Sequence, residues 1–331
     1  MKKTLISLLV VVLAVVAASA VGPEAKYKAP RTESGQPDLQ GAWNFTSGVP
    51  LQRPAKFADK KFFTKEEFDK QRAAIQNGLL AIARFAPVEA VGLDWIDNKL
   101  HVEDLRTSLI TYPENGRLPA VVEGVRRMPS IQDIIVLVAD GPSPELFSLA
   151  AMLSGGKRDS YEDFSVSERC LIEQQIPIVP QLGDNYVTII QGRDTIALVN
   201  DEFRRVITLG GKAQVSSKVA TSTGISTGHW EGDTLVVETK NFNNRTPSFS
   251  GVGDSRNKVV TERFTRTSKG TLEYAATVVD PTSFKDKIEL SFPMARVDAH
   301  IFESTCHEGN YSMKNILAGV RKEEEEARKT K

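Results

Sequence analysis

The sequence predicts a mainly β fold with flanking helices, and three observations carry that expectation. From about Tyr186 to Thr305 apolar and polar residues alternate with period two, interrupted at short intervals by turn residues. Helix signals fall before and after that stretch, not within it. No repeat of fixed length is visible, which sets solenoids aside and disfavours a propeller.

The strands can be placed one by one. Tyr186–Gln191 and Thr195–Val199 flank the turn Gly192-Arg193-Asp194, and residues 205–209 run up to Gly210-Gly211. Residues 234–238 follow the turn Glu231-Gly232-Asp233, and residues 259–265 pass through Ser268-Lys269-Gly270 into a run whose Leu272, Tyr274, Ala276 and Val278 share one face. Ile288, Leu290 and Phe292 again share a face, and residues 300–305 read as the last strand. This pattern is an antiparallel meander, long enough to close as a barrel or to stack as a sandwich, and a calycin-like barrel is the favoured form.

Around that body the chain divides into residues 1–20, a signal peptide; 21–58, an extended arm anchored by Trp43 and Phe45; 59–165, a mixed helix and strand region; 166–311, the barrel; and 312–331, a helix with a charged tail. In the mixed region Thr64 is an N-cap with Glu67 three residues on, and Phe63 and Phe68 form the staple of a helix reaching about Ala83. Residues 131–138 read as a strand. Ser143-Pro144-Glu145 opens a second helix that should stop at Gly155-Gly156.

The first twenty residues carry Lys2 and Lys3, then an apolar run, then Ala18-Ser19-Ala20, the order of a cleavable secretory signal. The run is shorter than the roughly 20 residues of a spanning helix, and the expected cut falls after Ala20, leaving a periplasmic or secreted chain with no membrane insertion. Lys2 and Lys3 are the only charges removed, so 40 basic residues then face 42 acidic ones. A near-neutral surface with no basic stripe argues against nucleic acid as a partner. The two cysteines, Cys170 and Cys306, are expected to pair in an oxidising compartment, closing a long loop worth roughly 4–5 kcal/mol in the chain-entropy model.

Three strings carry candidate chemistry. The first, Gly228-His229-Trp230-Glu231-Gly232-Asp233-Thr234, reads as strand, turn and strand; its carboxylates serve the turn or, with His229, line the open end of the barrel. The second, Gly224-Ile225-Ser226-Thr227-Gly228, fits a nucleophile-elbow pattern with Ser226 as nucleophile, but it leads into a hairpin where an elbow leads into a helix. The third is Cys306-His307-Glu308-Gly309-Asn310-Tyr311, either a polar tie between the last strand and the C-terminal helix or an acid–base pair of His307 and Glu308. On a strand Glu303 and His307 stand about 13 Å apart, so no metal is expected. The absence of phosphate-loop and dinucleotide fingerprints gives no support for a cofactor. Arg106 and Arg117 flank a strand and turn and can meet an anion.

The strings from Arg106 to Pro119, Ser167-Glu168-Arg169-Cys170-Leu171, Gly228 to Phe242 and Cys306 to Tyr311, in this order after a signal peptide, resemble an uncharacterised group of exported bacterial proteins of proteobacteria and acidobacteria. The resemblance implies export and lends no activity. One departure is Gly183-Asp184-Asn185-Tyr186, where an Asn-rich run is expected before the tyrosine.

The expected function is binding of a small, largely apolar organic molecule in an internal pocket, with cofactor-independent acid–base chemistry of the isomerase, lyase or cyclase type. Candidate catalytic residues are His307, Glu308, His229, Glu231 and Asp233; candidate ligand contacts are Tyr186, Trp230, Asn310, Tyr311 and Arg106. A non-catalytic envelope accessory module and a hydrolase using Ser226 are the alternatives.

Overall fold

A computed structural model describes residues 27–57, 60–85, 103–127, 159–164, 169–171, 176–181, 185–200, 204–210, 216, 218–298 and 306–329. Its centre is a closed barrel of nine strands. In chain order these are β1 (Gly41–Asn44), then, after β2 (Ile110–Tyr112), β3 (Tyr186–Gln191), β4 (Thr195–Val199), β5 (Arg204–Leu209), β6 (Ile225–Glu231), β7 (Thr234–Lys240), β8 (Val259–Arg266), β9 (Thr271–Val279) and β10 (Ile288–Val297). Each of β3 to β10 pairs with its sequence neighbour, and β1 closes the ring by pairing with both β3 and β10. The tenth strand, β2, lies outside the ring on the other part of β10's edge, with Ile110 opposite Leu290.

Alternation explains the core. Val260, Phe264, Leu272, Tyr274, Ala276, Val278, Ile288, Leu290, Phe292 and Met294 are all buried, the inward set of β8, β9 and β10. Register aligns Leu235, Phe264, Tyr274 and Phe292 across four strands. The Phe264 and Tyr274 rings meet edge-on at 5.1 Å, and Tyr274 lies 4.9 Å from Phe292. These side chains pack against one another, so the middle of the barrel is filled, not hollow.

Two expectations are corrected. The segment 21–58 is no mere arm, since its residues 41–44 are the stave that closes the barrel. Trp43 is fully buried, opposite Val187 on one side, and gives its indole N–H to the Leu39 carbonyl at 2.9 Å. Four residues among prolines and glycines are too few for period two to be read. Nor is the meander antiparallel throughout: β5 and β6 run parallel, with Ile207 opposite Ser226. The connection from Gly210 to Gly224 is longer than a hairpin turn and lets the chain re-enter in the same direction.

Outside the ring, α1 (Lys65–Phe85) starts as its sequence dictates. Glu67 N–H donates to Thr64 Oγ1 at 3.2 Å, the Thr64 N–H donates to Glu67 Oε2 at 2.7 Å, and Phe63 and Phe68 are both buried. At the C-terminus α2 (Cys306–Gly309) is followed by α3 (Ser312–Lys329), a largely exposed helix. No helix among the described residues is long and apolar enough to cross a membrane. The signal peptide, the strand expected at 131–138, the helix expected from Ser143 and the strand expected at 300–305 lie outside the described residues.

Each end of the ring has a cover. The turns at 192–194, 232–233 and 267–270 mark one end, where residues 31–39 are tied down by Gln36 to the Arg193 carbonyl, Leu39 N–H to Gln191 and Arg31 to Asp233. At the opposite end Ile176 and Ile178 join the barrel core. Truncating the closing stave by Trp43→Ala should cost about 3–5 kcal/mol, the usual range for an excavated core aromatic. A urea unfolding curve within 1 kcal/mol of wild type would show that the ring does not depend on β1.

Candidate functional site

Inside the barrel the inward stripe of β8 and the residue before it reads Lys258, Val260, Glu262, Phe264 and Arg266, every one buried. Three of the five are charged. Leaving a charge unpaired in so apolar a setting costs several kcal/mol, so the partners of these groups are the most informative geometry in the molecule.

Glu262 faces Arg205 of β5, and both are almost wholly buried. Arg205 Nη1 donates to Glu262 Oε1 at 3.0 Å while Nη2 donates to Oε2, a forked pairing of the kind guanidinium and carboxylate planes favour. Two further donors reach Ser226 Oγ from Nε at 2.8 Å and Thr239 Oγ1 from Nη2 at 2.6 Å, and those two hydroxyls lie 2.9 Å apart. Tyr274 donates its hydroxyl to Glu262 Oε1 at 2.9 Å. Burial first, and then the Glu262 carboxylate, push the Tyr274 phenol well above its ordinary 10.0, which keeps it a donor. One residue from each of five successive strands, β5 to β9, thus joins a single network.

Lys258 stands where β8 begins, at the end opposite the N-terminal cover. Its Nζ donates to the Ile176 carbonyl at 2.9 Å and lies 4.3 Å from the Phe242 ring centre. Burial lowers its pKa from 10.5 to about 7, against the opposing pull of Asp280 and Glu262. Asp280 spends its own oxygens on the Thr282 N–H and hydroxyl and on the Ser283 hydroxyl. Two residues beyond Ile176, the Ile178 N–H donates to Tyr274 Oη at 2.9 Å. The crossing segment is therefore held by two side chains of the barrel interior, the Lys258 amine at that end and the deeper Tyr274 phenol. At the other end Arg266 gives its guanidinium to the carbonyls of Asp38, Ser268 and Lys269.

The sequence-derived candidates sit elsewhere. His229 and Glu231 point outward from β6; His229 Nε2 lies 3.1 Å from Glu231 Oε1, and Arg263 donates to Glu231 Oε2 at 2.7 Å. Arg263, then His229, hold that carboxyl below the usual carboxylate range. Asp233 pairs with Arg31 at 2.6 Å and serves the N-terminal cover. Trp230 packs against the core from β6, and its indole N–H has no acceptor among the described residues. Tyr186 opens β3 opposite Asn44. Arg106 is on the barrel's outside, paired with Asp104 at 2.7 Å and bonded to Ser291.

Ser226 is a network member. Both glycines of its apparent elbow have packing reasons: Gly224 has φ 66° beside the Lys240 carbonyl, and a Cβ on Gly228 would come within 2.9 Å of Ile207 Cγ2. Strand alternation puts His229 on the opposite face from Ser226, and among the described residues the Ser226 hydroxyl meets Arg205 and Thr239. His307, Glu308 and Tyr311 are exposed on and beside α2, while Asn310 Nδ2 lies 3.2 Å from Cys170 Sγ. The outward-facing histidine group and the α2 group are not brought together with each other or with the interior network by any contact among the described residues.

Arg205, Glu262 and Lys258 were missed in the sequence, although the signal existed: charged residues at inward positions of an otherwise apolar stripe; Tyr274 was read only as a core residue. Among the described residues no three His, Cys, Asp or Glu side chains gather as a metal set. Comparison with protein-family models, curated proteins and solved structures finds no match to the chain.

Arg205→Met should destabilise by about 3–5 kcal/mol by stranding the Glu262 carboxylate, and Arg205→Met with Glu262→Gln should cost less than the single change. A double variant no better than the single one, by urea unfolding, would contradict the pairing. Lys258 gives a pH signature. Between about 7 and 10.5 the unfolded chain holds a proton that the folded one has lost, so stability rises with pH across that window and the full penalty is felt below it. Wild-type minus Lys258→Met unfolding free energy should climb from pH 7 to 10 by at most about 1.4 kcal/mol per unit, and a flat difference would mean that the amine is not desolvated.

Proposed function

We propose that this chain is an exported binding barrel that takes a small, largely apolar organic molecule at the end occupied by Ile176 and Ile178, and can act on it by acid–base chemistry. The observation that carries the reading is Lys258: an amine buried at the mouth of an apolar interior, bonded to a crossing loop and not to the barrel wall. A stability role alone is poorly served by such a group, because burial disfavours its charged form. A group titrating near neutral pH at the end of an apolar core suits both ligand capture and proton transfer.

Export rests on the charged, apolar and small-residue order of the first twenty residues. A disulfide between Cys170 and Cys306 fits that compartment, and the approach of Asn310 to the Cys170 sulfur supports it. Such a bond would tie the chain six residues before Ile176 to the base of α3, fixing the approach to the mouth. The acid–base role moves with the geometry, from His307 and Glu308 on the surface to Lys258, Glu262 and Tyr274 inside.

The test is extraction of the exported protein, verified to begin at Val21, with organic solvent and mass spectrometry of what is released. Wild type should yield one enriched small molecule, and folded Lys258→Met should yield at least tenfold less. Equal recovery from both proteins, or nothing from wild type together with no thermal shift across an apolar ligand library, would remove the reading.

A further inference from the structure

We infer, building on the binding site proposed above, that the segment Ile176-Pro177-Ile178 is a placeholder for the ligand, and that the ligand is a neutral aldehyde or ketone with an apolar body whose carbonyl takes Lys258 in place of the Ile176 carbonyl.

The first argument is what occupies the mouth. Ile176 and Ile178 are buried in the same core cluster as Val260, Val278 and Ile288, so the segment supplies apolar bulk to an end that the strands leave open. Its polar backbone is satisfied by two side chains of the barrel interior, Lys258 for the carbonyl and Tyr274 for the N–H. A guest that replaces the segment has to offer the same features: an apolar body and one uncharged acceptor facing the amine.

The second argument is charge. The groups acting on the Lys258 amine are the carboxylates of Asp280 and Glu262, both buried, and Arg205 lies just beyond, paired with Glu262. An anionic guest would bring a third negative charge into this low-dielectric end, and a cationic one would face both the amine and the guanidinium. A neutral carbonyl meets neither obstacle, and the present occupant is one.

The third is reactivity. Burial keeps a good share of the amine uncharged at neutral pH. With an aldehyde its lone pair forms a C–N bond as the carbonyl π bond breaks, and the carbonyl oxygen leaves as water with the two amine hydrogens, giving an imine. A hydride reagent reduces the imine to a stable secondary amine.

The experiment uses the full mature chain with decanal and cyanoborohydride, followed by peptide mapping, with labelling of the N-terminal amine as the internal standard. Lys258 should be labelled ahead of every surface lysine, about tenfold more slowly at pH 6 than at pH 8 as the uncharged fraction falls about tenfold. Loosening the placeholder by Ile176→Ala with Ile178→Ala should speed labelling severalfold, and should it unfold by circular dichroism, the milder Ile176→Val with Ile178→Val takes its place. In wild type 2-decanone should protect Lys258 and decanoate should not. Labelling confined to surface lysines and the N-terminus overturns the inference, as does no acceleration in the loosened variant. Protection by decanoate in preference to the ketone overturns the ligand class while leaving the binding barrel standing. Failure of the barrel reading itself appears separately, as an empty solvent extract.

Discussion

The Arg205–Glu262 ion pair is the constraint around which the rest of the barrel is arranged. Two charges taken out of water attract one another strongly, but the attraction offsets their lost hydration only if every remaining donor and lone pair is also met. Here Ser226, Thr239 and Tyr274 add bonds to the pair, one from each of the three other strands among β5 to β9. The network spans the parallel junction of β5 and β6, where no hairpin dictates register. A slip of one residue in either strand would send Arg205 or Ser226 to the outer face and strand Glu262 in the core. The pair thus selects one register for the whole wall, a task that interchangeable aliphatic contacts perform less sharply.

The same constraint explains what could and could not be read in the sequence. β3 and β4 are legible to the residue, and β7 to β10 nearly so, because alternation and turn chemistry agree there. The capping box at Thr64 and Glu67 is legible for the same reason, being local. β1 was not, since closure of the ring is a long-range event and a four-residue strand carries too little period to show it. Glu262 and Arg205 were hidden more deeply. A charged residue in an inward position looks from sequence like a break in the pattern or an exposed face, and nothing local reveals that its opposite lies 57 residues away.

The candidate site suffered from the opposite bias. His229, Glu231, Asp233, His307 and Glu308 attract notice because they are dense in ionisable groups over a few residues, yet density along a chain is what turns and surface ladders produce. On β6 the alternation that turns Ser226, Gly228 and Trp230 inward necessarily turns His229 and Glu231 outward, where Arg263 across the sheet pairs with Glu231. The Gly-x-Ser-x-Gly string dissolves in the same way, into one glycine needed for a left-handed turn and another needed so that β6 can lie against Ile207.

What remains distinctive is the asymmetry between the two ends. Arg266 and Lys258 occupy equivalent positions on one stripe, each buried and each satisfied by backbone carbonyls. Arg266, however, has three carbonyls from two segments. Lys258 has one, from a single crossing segment, and titrates near 7. A guanidinium so held acts as a permanent seal, whereas an amine with one neutral partner is a group whose charge state and partner can both change. Under the proposed function the barrel has a fixed end and an exchangeable one, and the exchangeable end is where chemistry would enter a core that is otherwise full.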